Sequence, residues 1–592
     1  MEKYLNIISQ YETRLAAEEK LSNILGYTKL IVFLAMVTAI VLTITSGFSL
    51  IGIFSTIAII GSCTMLWTYH YIADEKVRYS QGIIKICRRH ISQLDGTWIK
   101  FEDSGADLAD ASHFYASDLD IVGDKSFFQF LNTTSTWWGR EKFAVDLLNA
   151  QYSLEEIAVR QQAVQELSAD INFAIDIQFH LGQIKRANTD AKLCDELTNA
   201  KPLELRVPKP VLYFMSIATV LLLAAGGLFG LRAMLVTGVV LAVAQAFFTY
   251  WEKDRVHDYL GVMARLPYRL GKYVMAIEVV TARKFSSLRL QEIKTTLEVA
   301  HGAIRELDSI VSKLSFRANA LLYLALNVLL LWDFYCAFML ERWKAKHSAH
   351  LRGWFEAIGE FESLLAFSHL PNVCDNVCLP RVVEVGKKIT AKNLGHPLIA
   401  NNKRVANDVN FSDEIYIVSG SNMSGKTTFM RTVGVNLVLA NAGSCVCAQQ
   451  MECAKFDVLT SMRIADDLNQ GVSTFYAELT RVKLILETSA ERENLLFLID
   501  EIFKGTNSVD RLAGADAVIS KLAQIGAAGM VSTHDLELCK LAEHSPRIKN
   551  YNFRENYVNG AICFDYKMRQ GPSQTTNAKF LMEALGIIGG ST

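Results

Sequence analysis

No charge bias, no disulfide framework and no internal repeat mark this sequence. Lysine and arginine number 60 against 61 acidic residues, so the global field lacks the basic excess common in dedicated nucleic-acid binders. Eleven cysteines in 592 residues are too sparse and irregular for a stapled secreted fold, and no secretory signal precedes them. The soluble parts are therefore expected in the reducing cytosol. Cys374/Cys378 and Cys445/Cys447 are the only close pairs. Neither is joined by a second pair at ligand spacing with supporting histidines, so no metal site is expected there.

What is present in excess is apolar sequence, at 51% of residues. Residues 30–47, 50–72, 211–231 and 233–251 contain no Asp, Glu, Lys or Arg, and each run is long enough to cross a bilayer core. Buried core helices rarely need uncharged runs of this length. The expectation is two transmembrane hairpins, residues 30–72 and 211–251. Lys29, Lys76, Arg78, Lys85, Arg88 and Arg89 flank the first; Arg206, Lys209, Lys253 and Arg255 flank the second. Very short turns near Gly47 and Arg232 separate the runs. The positive-inside rule then leaves both termini and every soluble segment in the cytoplasm, with membrane lipids as partners. A fifth apolar stretch, residues 318–340, contains Asn327 and Asp333. Spanning with it would move the C-terminal region to the opposite side, so it reads as one buried or interface helix.

Residues 1–29 read as a soluble helix with an acidic patch at Glu18 and Glu19. Helical periodicity occupies residues 73–210, with a looser stretch from Gly105 to Gly123, and resumes over residues 252–370. Pro371 and Pro380 flank a break, after which short β-rich runs alternate with helices to residue 592. That alternation predicts an α/β domain over residues 385–592.

The run Ile415-Tyr416-Ile417-Val418 leads into Gly420-Ser421-Asn422-Met423-Ser424-Gly425-Lys426-Thr427, with Thr428 opening the helix behind it. This is the G-x-x-x-x-G-K-[ST] pattern in a strand–loop–helix setting. Its glycines let backbone N–H groups close around phosphate oxygens at a helix N-terminus. Lys426 would reach the terminal phosphates of ATP, and Thr427 would offer its hydroxyl to Mg²⁺. Leu495–Ile499 reads as a buried strand ending in Asp500-Glu501. One carboxylate there can hold the Mg²⁺ shell and the other can polarise a water. Met530–Thr533 is another strand, tipped by His534, which could sense the γ-phosphate or orient that water; the bland alternative is a structural histidine. The fold class expected is an α/β P-loop ATPase domain joined to an all-α region carrying two transmembrane hairpins.

Residues 420–448, the run from Ala465 to Thr480, the stretch Leu498–Ser508 and Ser532–Leu538 together resemble the ATPase domain of the MutS family, in family order over about residues 385–588. Asp118–Leu148, Ile157–Leu167 and Gly359–Ser368 resemble that family's helical core and levers. The resemblance implies a dimer whose Ser473-Thr474-Phe475 loop approaches the γ-phosphate of the other subunit, with Ser473 completing the catalytic set of Lys426, Glu501 and His534. It implies that Asn422 is a phosphate-loop residue. It also puts Leu398 or Ile399 where the family's adenine-stacking aromatic stands, so weaker stacking is expected. Asn550–Phe553 and Gly571–Ser573 match further family positions.

The departures concern DNA. The family's mismatch reader carries Phe-x-Glu, and this pattern occurs here only as Phe553-Arg554-Glu555, inside the ATPase region. The clamp's place in the helical core is taken by the second hairpin, and the sequence stops short of the family's C-terminal dimer extension. Arg265, Arg269 and Lys272 could form one basic face, better suited to lipid headgroups than to DNA. Two functions remain open. One is an ATP-driven, mismatch-repair-like DNA binder tethered at a membrane and blind to mispairs; the other is a membrane-embedded switch or transport-like machine without DNA.

Overall fold

The computed structural model describes residues 1–592 except 46, 48, 49, 111, 185–191, 193, 196–202, 204, 264, 265, 385, 464–473, 505, 506, 559, 560 and 574–592. The principal helices are α1 (Glu2–Thr45), α2 (Leu50–Asp95), α3 (Trp137–Leu148), α4 (Leu154–Ser168), α5 (Ile171–Gly182), α6 (Lys209–Phe229), α7 (Arg232–Trp251), α8 (Leu266–Ala282), α9 (Leu288–Leu314), α10 (Ala320–Leu330), α11 (Trp332–His347), α12 (Leu351–Phe367), α13 (Lys426–Asn441), α14 (Thr474–Glu491) and α15 (Ser508–Gln524). The chain divides into two units, residues 1–133, 144–179 and 364–592 in the first, residues 134–143 and 180–363 in the second.

The first unit contains both β-sheets. Six strands lie in the order β10 (Ala561–Gln570), β9 (Ile548–Val558), β4 (Ile415–Ser419), β8 (Ala528–Thr533), β7 (Leu495–Asp500), β6 (Asp457–Ser461). All neighbours are parallel except β10, which returns antiparallel along β9. Parallel strands covered on both faces need continuous apolar runs, and β4 and β8 are buried at every position. Val482 and Ile485 of α14 and Ala515, Ile519 and Leu522 of α15 pack on Ile417, Phe497 and Val531. Each such large aliphatic side chain contributes roughly 1.5–3 kcal/mol on burial. A second sheet runs β1 (Arg381–Val383), β5 (Gln450–Ala454), β2 (Lys388–Leu394), β3 (Asn407–Ser412).

In the same unit α1 and α2 pack antiparallel. Tyr4 meets His90 at one end, Ser22 bonds Asp74 midway, and the Thr43 and Thr56 hydroxyls lie 2.9 Å apart near the turn. Buried Arg160 of α4 ties the helical part to the sheet domain. It pairs with Asp146 at 2.7 Å and donates from Nε to the Ala442 carbonyl at 2.9 Å.

The second unit is helical. Its α6–α7 hairpin turns at Gly230, which is left-handed. Gly226 allows the close crossing, because a Cβ there would lie 2.6 Å from the Leu235 nitrogen. Gln245 donates to Thr219 Oγ1 at 2.7 Å across the same contact.

By length and composition α1, α2, α6 and α7 could each cross a membrane, and up to five such elements exist if the bent pair beginning at Leu321 counts as one. Their surfaces are apolar and exposed, with Ile51 at 83% and Leu228 at 81%. The stretch 318–340 is not one helix. It breaks by 75° at Leu331, a left-handed residue with φ of 52°. Asn327 stabilises the break, its carbonyl accepting from Leu331 N and its Oδ1 from Asp333 N at 3.1 Å. A side-chain amide has replaced the helical ladder, which apolar periodicity could not reveal.

Candidate functional site

At the carboxyl ends of β4, β7 and β8, three loops converge. The loop after β4 needs unusual backbone angles, with φ of 146° at Gly420 and 108° at Gly425. Both glycines supply conformations that L side chains resist. The loop then opens α13, so its N–H groups and the helix dipole face one point. Lys426, 3% exposed, donates to the Gly420 carbonyl at 2.7 Å and the Ser421 carbonyl at 2.8 Å. Burial pushes its ammonium below the usual lysine range, opposed by the nearby Glu501 and Asp500 carboxylates.

Thr427 Oγ1 donates to Asp500 Oδ2 at 2.9 Å, and the Ser532 hydroxyl binds the other Asp500 oxygen. Glu501 sits in the left-handed region, φ 51°, with its N–H donating to Ser532 Oγ at 3.0 Å. This turn aims the Glu501 carboxylate at His534 and Lys504, the latter at 2.6 Å. Hydrogen bonding from His534 foremost, with Lys504 adding to it against burial, pulls the Glu501 carboxyl down to about 2.

Beside the loop lies a cavity of about 700 Å³, lined by Ser421, Asn422, Met423, Gly425, Lys426, Thr427 and Thr428. His396, Ile399, Phe553 and Tyr566 also line it, with the Tyr566 ring close against Gly425. Ile399 lines the cavity; Leu398 does not. Arg404 fixes that wall by donating to the Ile399 carbonyl at 2.7 Å and the Pro397 carbonyl at 3.3 Å. The same guanidinium reaches the Cys447 and Cys374 sulfurs at 3.0 and 3.5 Å. Thus one cysteine of each sequence pair is spent on packing this wall. Burial pushes His396 down to about 3, so it meets the cavity uncharged.

With this geometry in view, residues 416–581 match the family described as MutS domain V. The chain carries a MutS-family domain. It is similar to a DNA mismatch repair protein MutS of Thermosipho melanesiensis, 34% identical over 239 residues, 39% of this chain and 29% of that protein. A Thermus thermophilus protein of the same name is 33% identical over 204 residues, 34% of this chain and 25% of its own. A Brevibacillus brevis protein, also so named, is 34% identical over 236 residues, covering 38% and 27%. The chain therefore spans under a third of each of these MutS relatives.

Within this MutS domain, the structure brings together Gly420 to Thr428, Asp500, Glu501 and His534. Ser473, Arg265 and the Arg269 side chain lie outside the described residues. Sequence reasoning missed Tyr566 and Lys504 and gave Phe553, within the matched run Asn550–Phe553, no role at the cavity; Lys504, three residues after Glu501, carried a local signal. It also missed Asp118. That carboxylate accepts from Thr460 Oγ1 at 2.6 Å and from Arg463 N at 2.8 Å, pinning the looser 105–123 stretch to the end of β6.

Proposed function

We propose that this chain is a membrane-anchored MutS-family ATPase that works as a homodimer, hydrolysing ATP with Mg²⁺ to move its helical segments. The observation carrying this reading is the joining of Lys426, Thr427, Asp500 and Glu501 beside a cavity of nucleotide size. The residues fit both ligands. Ser421 Oγ is buried on the cavity wall with no hydrogen-bond partner among the described residues, ready for a phosphate oxygen. Thr427 and Asp500 form the hard oxygen set that suits Mg²⁺.

In the reaction water attacks the γ-phosphorus and the bond to the β–γ bridging oxygen breaks, leaving ADP and phosphate. Bound Mg²⁺ supplies positive charge to the phosphate oxygens. Lys426 uses two of its three donors on loop carbonyls, holding the loop shut while its charge faces the terminal phosphates. Glu501, engaged by His534 and Lys504, orients the water and takes its proton once one of these contacts opens. Tyr566, on the cavity wall beside Gly425, offers the base an aromatic face in place of the missing one near Ile399. Ser473 of a second copy would complete the site.

Anchoring is read from α1, α2, α6 and α7 with their basic flanks, which put both termini in the cytoplasm. The second reading, DNA binding, rests on the relatives' name as DNA mismatch repair proteins. Deletion separates the parts. Without residues 30–72 the protein should stay in the membrane fraction through residues 211–251; without both hairpins it should leave. An intact chain that stays soluble without detergent overturns the anchoring.

A further inference from the structure

The second unit holds an apolar cavity of about 330 Å³, at the lower end of the roughly 300–1,000 Å³ usual for small-molecule sites. Its walls are the first two turns of α6 (Leu212, Tyr213, Ser216, Ile217), the end of α9 at Lys313, and the α10–α11 break from Leu330 to Phe338. The left-handed turn at Leu331 creates it, by swinging α11 away from the line of α10. Trp332 is locked there by its Nε1, which donates to the Lys313 carbonyl at 3.0 Å.

Three features define the ligand. The lining is almost wholly apolar, with Leu331 and Phe334 buried at the base and Tyr213 and Tyr335 half-open at the mouth. The cavity sits where α6, a helix of membrane-crossing length, begins after basic Lys209. That is the headgroup depth, where tryptophan and tyrosine rings concentrate. One cation stands on the rim: the Lys313 ammonium lies 3.9 Å from the Met339 sulfur, and no carboxylate pairs with it among the described residues. Of the nearby acids, Glu341 is already neutralised by Lys209, and buried Asp333 accepts from the Tyr323 hydroxyl at 2.8 Å.

We propose that this cavity is a binding site for one anionic phospholipid, with an acyl chain among Leu212, Ile217, Leu331 and Phe338 and the phosphate on Lys313. The inference rests on the membrane-anchored reading above. A basic rim on an apolar pocket between membrane helices selects charged headgroups, whereas a zwitterionic lipid brings its own cation against Lys313. Occupancy braces α6 against the α10–α11 break, giving bilayer composition a hold on the helical unit.

The test uses the full chain in neutral detergent, with native mass spectrometry counting retained lipid during titration with phosphatidylglycerol or phosphatidylcholine. One phosphatidylglycerol per chain should be held at concentrations at least tenfold lower than phosphatidylcholine. Lys313→Gln should erase that preference, Lys313→Arg should keep it, and Lys294→Gln, most of the length of α9 from Lys313, should not alter it. Ser216→Phe, which fills the cavity, should lower retention of both lipids. Equal retention of the two lipids by the wild type, or an unchanged preference in Lys313→Gln, overturns the site. Alkaline carbonate extraction of native membranes separates the two failures. A chain that resists extraction but shows no preference loses only the lipid site; a chain that is released loses the anchoring and this site with it.

Discussion

His534 ties the phosphate loop to the acidic end of β7: its Nδ1 lies 3.0 Å from the Gly420 carbonyl while its Nε2 meets the Glu501 carboxylate. Both partners are acceptors, so only a ring protonated on both nitrogens donates to each at once. The ring thereby bridges the phosphate-loop backbone and the Glu501 carboxylate.

Glu501→Gln should retain ATP binding and lose turnover by about 100-fold or more, the usual scale for removing a proton acceptor. Asp500 and Thr427 remain on the metal side in that variant. Lys426→Ala should instead weaken binding itself, seen as a loss of nucleotide affinity in equilibrium titration. Equal turnover in Glu501→Gln and wild type would remove Glu501 from the mechanism.

The pH dependence follows from His534 as well. Its hydrogen bond, aided by Lys504, lowers the Glu501 carboxyl from the ordinary 4.5 to about 2. A carboxyl depressed in the folded state stabilises above 4.5, and that contribution is lost as pH falls toward 2. Wild-type turnover should therefore show no acid limb from this group between pH 7 and 5. In His534→Asn the carboxyl moves back up and turnover should begin to fall as pH approaches 5. Superimposable profiles for the two proteins would break the link.

The Arg160–Asp146 pair is buried on both sides, at 2% and 1% exposure. Removing one partner leaves the other charge uncompensated, which costs about 3–5 kcal/mol. Asp146→Ala should lower the unfolding free energy by that amount. Because Arg160 also holds the Ala442 carbonyl beyond α13, ATP affinity should fall with it. A loss below about 1 kcal/mol, the scale of exposed pairs, would contradict the burial.

Any DNA binding should be blind to mispairs. The one Phe-x-Glu, Phe553-Arg554-Glu555, is built into β9 with Phe553 buried at 1%, so it cannot wedge into a duplex. Lysines and arginines without a wedge neutralise phosphates but do not read bases. Competition between a homoduplex and a single G·T duplex near physiological salt should give equal affinities. A tenfold preference for the mispair, about 1.4 kcal/mol, would restore a repair role.

The sequence by itself determined the local chemistry of the site. Asp500 and Glu501 are legible at the end of a short apolar strand, and Lys426 and Thr427 where a glycine loop after another such strand opens a helix; both signals are set by neighbours in the chain. The apolar helices were legible for the same reason, since hydropathy is summed along contiguous residues. The rest depends on contacts between residues far apart in sequence. Tyr566 reaches the cavity because β10 folds back on β9, and Arg404 meets Cys374 and Cys447 because Cys378 bridges to Val446. The helix break at Leu331 needed one amide, Asn327, placed to outcompete the backbone ladder. Periodicity records which face of a helix is apolar; it does not record which distant groups arrive there, and that the tertiary structure alone decided.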